Sequence, residues 1–414
     1  MSSGKVLLVI IVLSYFGVIG VLSIGMPLHR AWRCLGVSAE HPTFLDTRVI
    51  LSGLECHRLG FDVLRENPCD IGHRPMNYPR IWQALGHLSL TQGHALWIGT
   101  ALAVLFFVSL FSLCPALTWK EGFFYGVCAC SPSVMLGVER GNNDLVMFVG
   151  MAGMLSLLRR MPQLKIGLPV LAIAILSVLK LYPIFGLGIL MRESKATFLK
   201  LGGFLIALFG LYLFVTWEDI RLISEGTPRK TLLSYGGLVL FQQLSDGLLV
   251  WQGVRFPRSW QIVSFAILLL IIVVGVLYRI NVMSRRSASL PSSAHFDMTS
   301  GEHLDAFRVG ACLYLGSFCL GNNYDYRLMF LLFVLPQLFV WLRSPSRRAV
   351  TVTLIAIPMT LFASRVPVQW NVNIDEWANW VIFVQLLYLL GNSCSKWLSW
   401  SGDQGRHQVQ MKAE

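Results

Sequence analysis

Charge is scarce in this chain. Asp, Glu, Lys and Arg make up 14% of its 414 residues, where a soluble globular domain carries about 25%. So little charge cannot cover a water-facing surface, which excludes a soluble globule. Acid is scarcer than base: 22 Asp and Glu stand against 34 Lys and Arg, a net charge of +12. In a soluble protein that excess would point to nucleic acid. Here no basic stripe interleaved with aromatics occupies a long polar segment, and no nucleic-acid partner is expected. Cysteine is sparse, with nine residues, and no spacing among them resembles a zinc site. No internal repeat is evident. A small-residue cleavage site is also missing after the first apolar stretch, Lys5 to Gly25, so a retained span is expected there rather than a signal peptide.

What the chain has in abundance is apolar sequence, 55% of residues with a mean hydropathy of +0.60. Many windows reach the roughly 20 apolar residues needed to cross the hydrocarbon. The expected fold class is all-α integral membrane, about twelve transmembrane helices in a single polytopic domain over 1–400. The spans fall at about 5–26, 93–114, 122–138, 145–158, 166–179 with a short return helix to 191, 201–217, 260–280, 306–320, 328–342, 349–363 and 378–391. The segments 27–91 and 218–258 are then extracytoplasmic loops, 281–305 a cytoplasmic linker and 401–414 a disordered cytoplasmic tail. With the N-terminus cytoplasmic, Lys120, Arg159, Arg160, Lys165, Arg192, Arg285, Arg286, Arg343 and Arg347 all fall on one side. That is the positive-inside pattern. It places both termini in the cytoplasm and the chain in the cell membrane, with lipid as its constant partner.

Most cysteines lie in or beside apolar spans and are expected to be inert. Cys34, Cys56 and Cys69 share the first outer loop, and Cys56 and Cys69 can pair if that loop faces an oxidising compartment. Residues 44–64 read as an amphipathic helix lying at the interface, with Asp46, Ile50, Gly53 and His57 on one face. Gly53 leaves space beside the Asp46 carboxylate. His57 and His73 lack partners at ligand spacing, and no metal is expected.

The informative feature is where the remaining polar residues fall. Four clusters land at the outer face under this topology. They are Asp46 with Arg48; Glu139-Arg140-Gly141-Asn142-Asn143-Asp144; Lys180-Leu181-Tyr182-Pro183; and Asn322-Asn323-Tyr324-Asp325-Tyr326-Arg327. Each alone has an ordinary explanation: a polar turn, a snorkelling lysine, a local Asp325–Arg327 ion pair. Together they gather acid, base and amide at one depth on one side.

With Asn77-Tyr78-Pro79 before the second span, these motifs resemble bacterial glycosyltransferase family 87, once called domain of unknown function 2029, within the GT-C superfamily. The resemblance covers about 40–390. It departs from the family after Asp46, where Thr47 and Arg48 replace the usual Phe and Tyr pair. No second acid follows two residues on, as in some metal-dependent GT-C enzymes. The resemblance implies a membrane hexosyltransferase, by family default a mannosyltransferase, without a cofactor. Its partners would be a polyprenyl-phosphate-linked sugar donor and a lipid or glycan acceptor. The implied reaction inverts the anomeric carbon, with Asp46 as the general base. Arg140, Lys180 and Arg327 are candidates to bind the donor phosphate, since its charge grows as it leaves. Asn142, Asn143, Asp144, Tyr182 and Asp325 are candidates to bind sugar hydroxyls or orient those cations. The competing class is a multi-span transporter or lipid flippase without chemistry, whose polar groups belong near the midplane, reached from both sides.

Overall fold

The computed structural model describes residues 2–114, 116–228, 233–288, 298, 301, 303–343, 348–363 and 368–394. The expected cytoplasmic tail, and residues 289–297, 299, 300 and 302 of the expected 281–305 linker, lie outside the described residues. Among the described residues the fold is all-α apart from one pair of two-residue strands. Its helices are α1 (Ser3–Gly25), α2 (Leu28–Cys34), α3 (Leu45–Arg58), α4 (Ala95–Leu113), α5 (Trp119–Ala129), α6 (Pro132–Arg140), α7 (Asp144–Arg160), α8 (Gly167–Leu179), α9 (Lys195–Val215), α10 (Trp217–Gly226), α11 (Val239–Gln252), α12 (Arg258–Ala288), α13 (Leu304–Cys319), α14 (Leu335–Leu342), α15 (Arg348–Leu361) and α16 (Val368–Asn392). Tighter 3-10 turns occupy Arg80–Leu88, Tyr182–Arg192 and Asp325–Phe333.

Four helices among the described residues are long and apolar enough to cross a membrane: α1, the Gln92–Leu113 helix that contains α4, α9, and α12 over Arg258–Val282. The bent pair Asp325–Phe333 and α14 makes a fifth if taken as one span. These long helices present bare apolar side chains such as Leu13, Val21, Trp97, Phe204, Phe214 and Leu270, the surface that lipid covers. The other apolar stretches form shorter or broken elements, and these make the core. α13 packs on Tyr182–Arg192, α6 on Asp325–Phe333, α4 on α7, and α15 on α16. Phe148, Phe307, Phe330, Phe333 and Trp341 fill the space between them. α1 meets α5 where Gly4 and Gly122 bring the two backbones together, the small-residue contact that lets membrane helices approach closely.

Several boundaries differ from the sequence expectation. The span expected over 122–138 is two helices, broken at Cys130 and Ser131 with Pro132 opening the second; proline suits a first helical position. The short return helix after Lys180 is 3-10 throughout. α12 runs on to Ala288, into the stretch expected as linker. The first-loop helix, α3, packs into the protein. Nine of its residues, including Leu51, Leu54 and Cys56, are buried, packed against α4, α6 and the Arg80–Leu88 turn. The space expected beside Gly53 is filled by the Met76 side chain.

The first loop is held by covalent and ionic ties. Cys56 and Cys69 form a disulfide, as the sequence allowed. Arg80 bonds Asp219 of α10 at 2.8 Å and Asp62 at 2.9 Å. After α10, β1 (Ser234–Tyr235) pairs antiparallel with β2 (Asn323–Tyr324), which opens the Asp325–Phe333 turn. The segments that hold α3 and α10 are thus tied to each other.

Candidate functional site

The site begins at the first turn of α3. The backbone N–H of Phe44 donates to the Glu139 carbonyl at 3.1 Å, and the Thr47 hydroxyl donates to the Gly141 carbonyl at 2.7 Å. These bonds dock the start of α3 on the end of α6. Gly141 has φ +56°, and a Cβ there would run into the Thr47 hydroxyl; only glycine takes this close left-handed turn without strain. The turn aims Arg140 and Asn142 at one carboxylate. Arg140 Nε donates to Asp46 Oδ2 at 2.9 Å and Nη2 to Oδ1 at 2.7 Å, a forked pair. Asn142 Nδ2 donates to Asp46 Oδ2 at 2.5 Å. A carboxylate offers about four lone-pair sites, so one remains open among the described residues.

Asn142 links this pair to a second one. Its Oδ1 accepts the backbone N–H of Asp144 at 2.8 Å and Lys180 Nζ at 3.4 Å. Asp144, fully buried at the start of α7, draws three side chains together. Lys180 Nζ stands 2.5 Å from Oδ1, the Tyr182 hydroxyl donates to Oδ1 at 2.8 Å, and Arg327 Nε lies 3.4 Å from Oδ2. The Arg327 guanidinium stacks on the Tyr182 ring at 4.2 Å, and Lys180 Nζ lies 5.5 Å from the Tyr78 ring centroid. The break after α8 supplies Lys180 and Tyr182 from consecutive turns, which an unbroken helix would not. Two carboxylates and three cations leave this network one positive charge in excess.

Asp46, Arg140, Asn142, Asp144, Lys180, Tyr182 and Arg327, drawn from four separated segments, thus form one connected cluster. Two other candidates do not join it. Asn143 is buried but its side-chain amide makes no hydrogen bond among the described residues. Asp325 is buried away from Arg327, one carboxyl oxygen unpartnered among the described residues; its backbone N–H donates to the Leu233 carbonyl. The expected local ion pair is therefore replaced by Arg327–Asp144. Asn323, which the sequence placed in the fourth cluster without a role, joins the site: its Oδ1 accepts from Arg327 Nη1. Its place four residues before Arg327 was the available signal.

Chain direction puts this cluster at one end of the bundle. Tyr182 and Asp144 start segments that finish at Arg192 and at Arg159 and Arg160. Arg343 likewise follows the segment begun at Asp325. The basic residues therefore lie at the far end.

Two cavities adjoin the cluster. The larger, about 520 Å³, has Lys180, Arg327, Arg80 and Arg258 among its lining residues, with apolar Val178, Leu181, Ile220, Ile223, Leu238 and Leu320. The smaller, about 170 Å³, is lined by Asp46, Glu40, Arg74 and Arg140. Asn77, Tyr78, Pro228, Tyr324 and Tyr326 line both, so the two are neighbours across one wall. Arg74 is set by Asp70, whose carboxylate takes a forked pair from it with both contacts at 2.9 Å. Burial opposes charge on Asp70, yet the bonds from Arg74 and from the Gly72 N–H hold its carboxyl below the ordinary range. Among the described residues, no group of three or more His, Cys, Asp or Glu is placed to hold a metal ion. His57 is exposed at the end of α3 and His73 lies in the turn after Asp70.

The molecule is thus an all-α membrane protein with a buried charged cluster between two cavities. No family model, curated protein or solved structure matches the chain.

Proposed function

We propose that this protein is a membrane glycosyltransferase of the GT-C kind, moving a hexose from a polyprenyl-phosphate donor to a lipid or glycan acceptor. The resemblance to family 87 suggests the class, and mannose is its default sugar. One observation carries the reading: a carboxylate with a free lone-pair site faces a small cavity, while partly buried cations from the same hydrogen-bonded network face a larger amphipathic one. The larger cavity offers what a prenyl phosphate needs, cations beside apolar wall.

In this reading the donor's phosphodiester lies near Lys180 and Arg327, and the acceptor hydroxyl lies against Asp46. Asp46 takes the hydroxyl proton as its oxygen attacks the anomeric carbon from the face opposite the phosphate. The bond from that carbon to the phosphate oxygen breaks, and the polyprenyl phosphate leaves with one more negative charge. Lys180 and Arg327 stabilise that charge. Arg140 and Asn142 orient the base, and Asp144 orients the cations. The excess of one positive charge suits the monoanionic phosphodiester of a lipid monophosphate donor. About twelve crossings, counting short and broken elements, would complete the GT-C bundle. The basic far end would then be cytoplasmic and the site extracytoplasmic, in the cell membrane.

The test is a donor exchange in proteoliposomes. Polyprenyl-monophosphate hexose should yield glycosylated product of inverted configuration, and the diphosphate donor should not. Solute or lipid movement across the bilayer with no new glycosidic bond would favour the transporter reading instead.

A further inference from the structure

The cations lining the larger cavity are not equally free to meet an anion. Lys180 is 2.5 Å from Asp144, and Arg327 shares the same carboxylate while also bonding Asn323. Arg80 is held between Asp219 and Asp62 at 2.8 and 2.9 Å. Arg258, the first residue of α12, also lines this cavity, and it has no ion pair or hydrogen bond among the described residues. Each of the other three contacts a carboxylate; Arg258 contacts none among the described residues. It also comes from the opposite side of the sequence: α12 follows the second outer segment, whereas Lys180 and Arg80 belong to elements before α9.

We infer that Arg258 is the donor-recognition cation, contacting the anionic phosphate of a prenyl-phosphate lipid directly when that lipid fills the cavity. This rests on the transferase reading for its substrate but not for its charge logic. An arginine exposed to water is screened and interacts weakly with its surroundings. Entry of a lipid displaces that water, lowers the local dielectric and strengthens the contact with phosphate. A guanidinium suits this role because its planar fork meets two phosphate oxygens at once. Lys180 and Arg327 already sit in a fixed geometry, so they act on the leaving charge, while Arg258 is free to follow the incoming headgroup. The same residue read as a plain interfacial anchor would serve equally well as lysine.

The experiment uses the full chain in lipid nanodiscs and measures binding of a short prenyl monophosphate, with Arg258→Gln, Arg258→Lys and Arg255→Gln compared with the unaltered chain. Arg255 is exposed three residues earlier and does not line the cavity. Arg258→Gln should weaken binding at least about tenfold, Arg258→Lys should recover only part of it, and Arg255→Gln should stay within about twofold. In the transfer assay Arg258→Gln should raise donor KM and leave acceptor KM unchanged. Equal binding by Arg258→Gln and Arg255→Gln, or full recovery with lysine, would overturn the inference. Arg258-dependent binding without any sugar transfer would leave the inference standing and remove the transferase reading.

Discussion

Removing the Asp144 carboxylate is the sharpest perturbation of this site. Asp144→Asn keeps size and shape but leaves Lys180 and Arg327 facing one another in a buried space that their shared carboxylate filled. Lys180 loses a 2.5 Å contact, Arg327 one of 3.4 Å, and the Tyr182 hydroxyl its charged acceptor. The local charge of these three residues rises from +1 to +2. Breaking a buried pair by deleting one partner costs about 3–5 kcal/mol, and two stranded cations place this variant toward the upper end. Lys180→Met alone leaves Asp144 paired with Arg327 and should cost about 1–3 kcal/mol. The double variant returns the charge to +1 and strands only Arg327. Its cost should fall short of the sum of the singles by at least about 1 kcal/mol, within the coupling range of residues in one network. Equilibrium unfolding in mixed micelles, followed by tryptophan fluorescence, measures all three. Additivity within about 0.5 kcal/mol, or a cost below about 1 kcal/mol for Asp144→Asn, would refute the network as drawn.

Three further outcomes follow from the geometry. Replacing Cys56 and Cys69 by serine should lower stability by about 3 kcal/mol, since the disulfide closes a loop whose ends are 13 residues apart; an unchanged unfolding midpoint under oxidising conditions would count against that loop's contribution. Gly141→Ala should cost about 1–2 kcal/mol for its left-handed backbone alone, with more from the Thr47 contact, and should reduce transfer by misaligning Arg140 and Asn142; wild-type stability and rate would show that the turn does not set the site. Acid should loosen the first loop only below about pH 4. The bond from Arg80 holds the Asp62 carboxyl below its ordinary value, and Arg74 does so for Asp70 against the effect of burial. A carboxyl depressed on folding contributes stability that is complete above its unfolded value near 3.9 and is lost as pH falls through the lower folded value. Hydrogen exchange over residues 62–74 should therefore stay flat from pH 7 to about 4, after correction for intrinsic rates; loosening between pH 7 and 5 would contradict the assignment.

How much of this was legible in the chain follows from the physics of each signal. Hydropathy exposes α1, α4, α9 and α12 plainly, because a lipid-facing helix is apolar on every side. The pairs Lys180–Tyr182 and Arg140–Asn142 stood out only jointly, because the topology gathers acid, base and amide at one depth on one side. Their partners were not legible. Whether Arg327 bonds Asp325 two residues away or Asp144 on another helix depends on how α7 and the Asp325–Phe333 turn pack, and no local pattern encodes that. The buried position of α3 escaped for the same reason: its apolar face looks alike whether lipid or protein covers it. Arg258 escaped because an arginine at a helix start beside Trp260 reads as an anchor until the cavity is seen.

The central claim is that Asp46 activates the acceptor while the cations of the same network hold the donor. It is tested most directly by single-turnover transfer from labelled polyprenyl-monophosphate hexose in proteoliposomes, comparing the unaltered chain with Asp46→Asn at matched, folded amounts. Loss of a general base predicts a rate reduced by about 10²–10⁴-fold with donor binding retained. Transfer by Asp46→Asn at the unaltered rate would contradict the account.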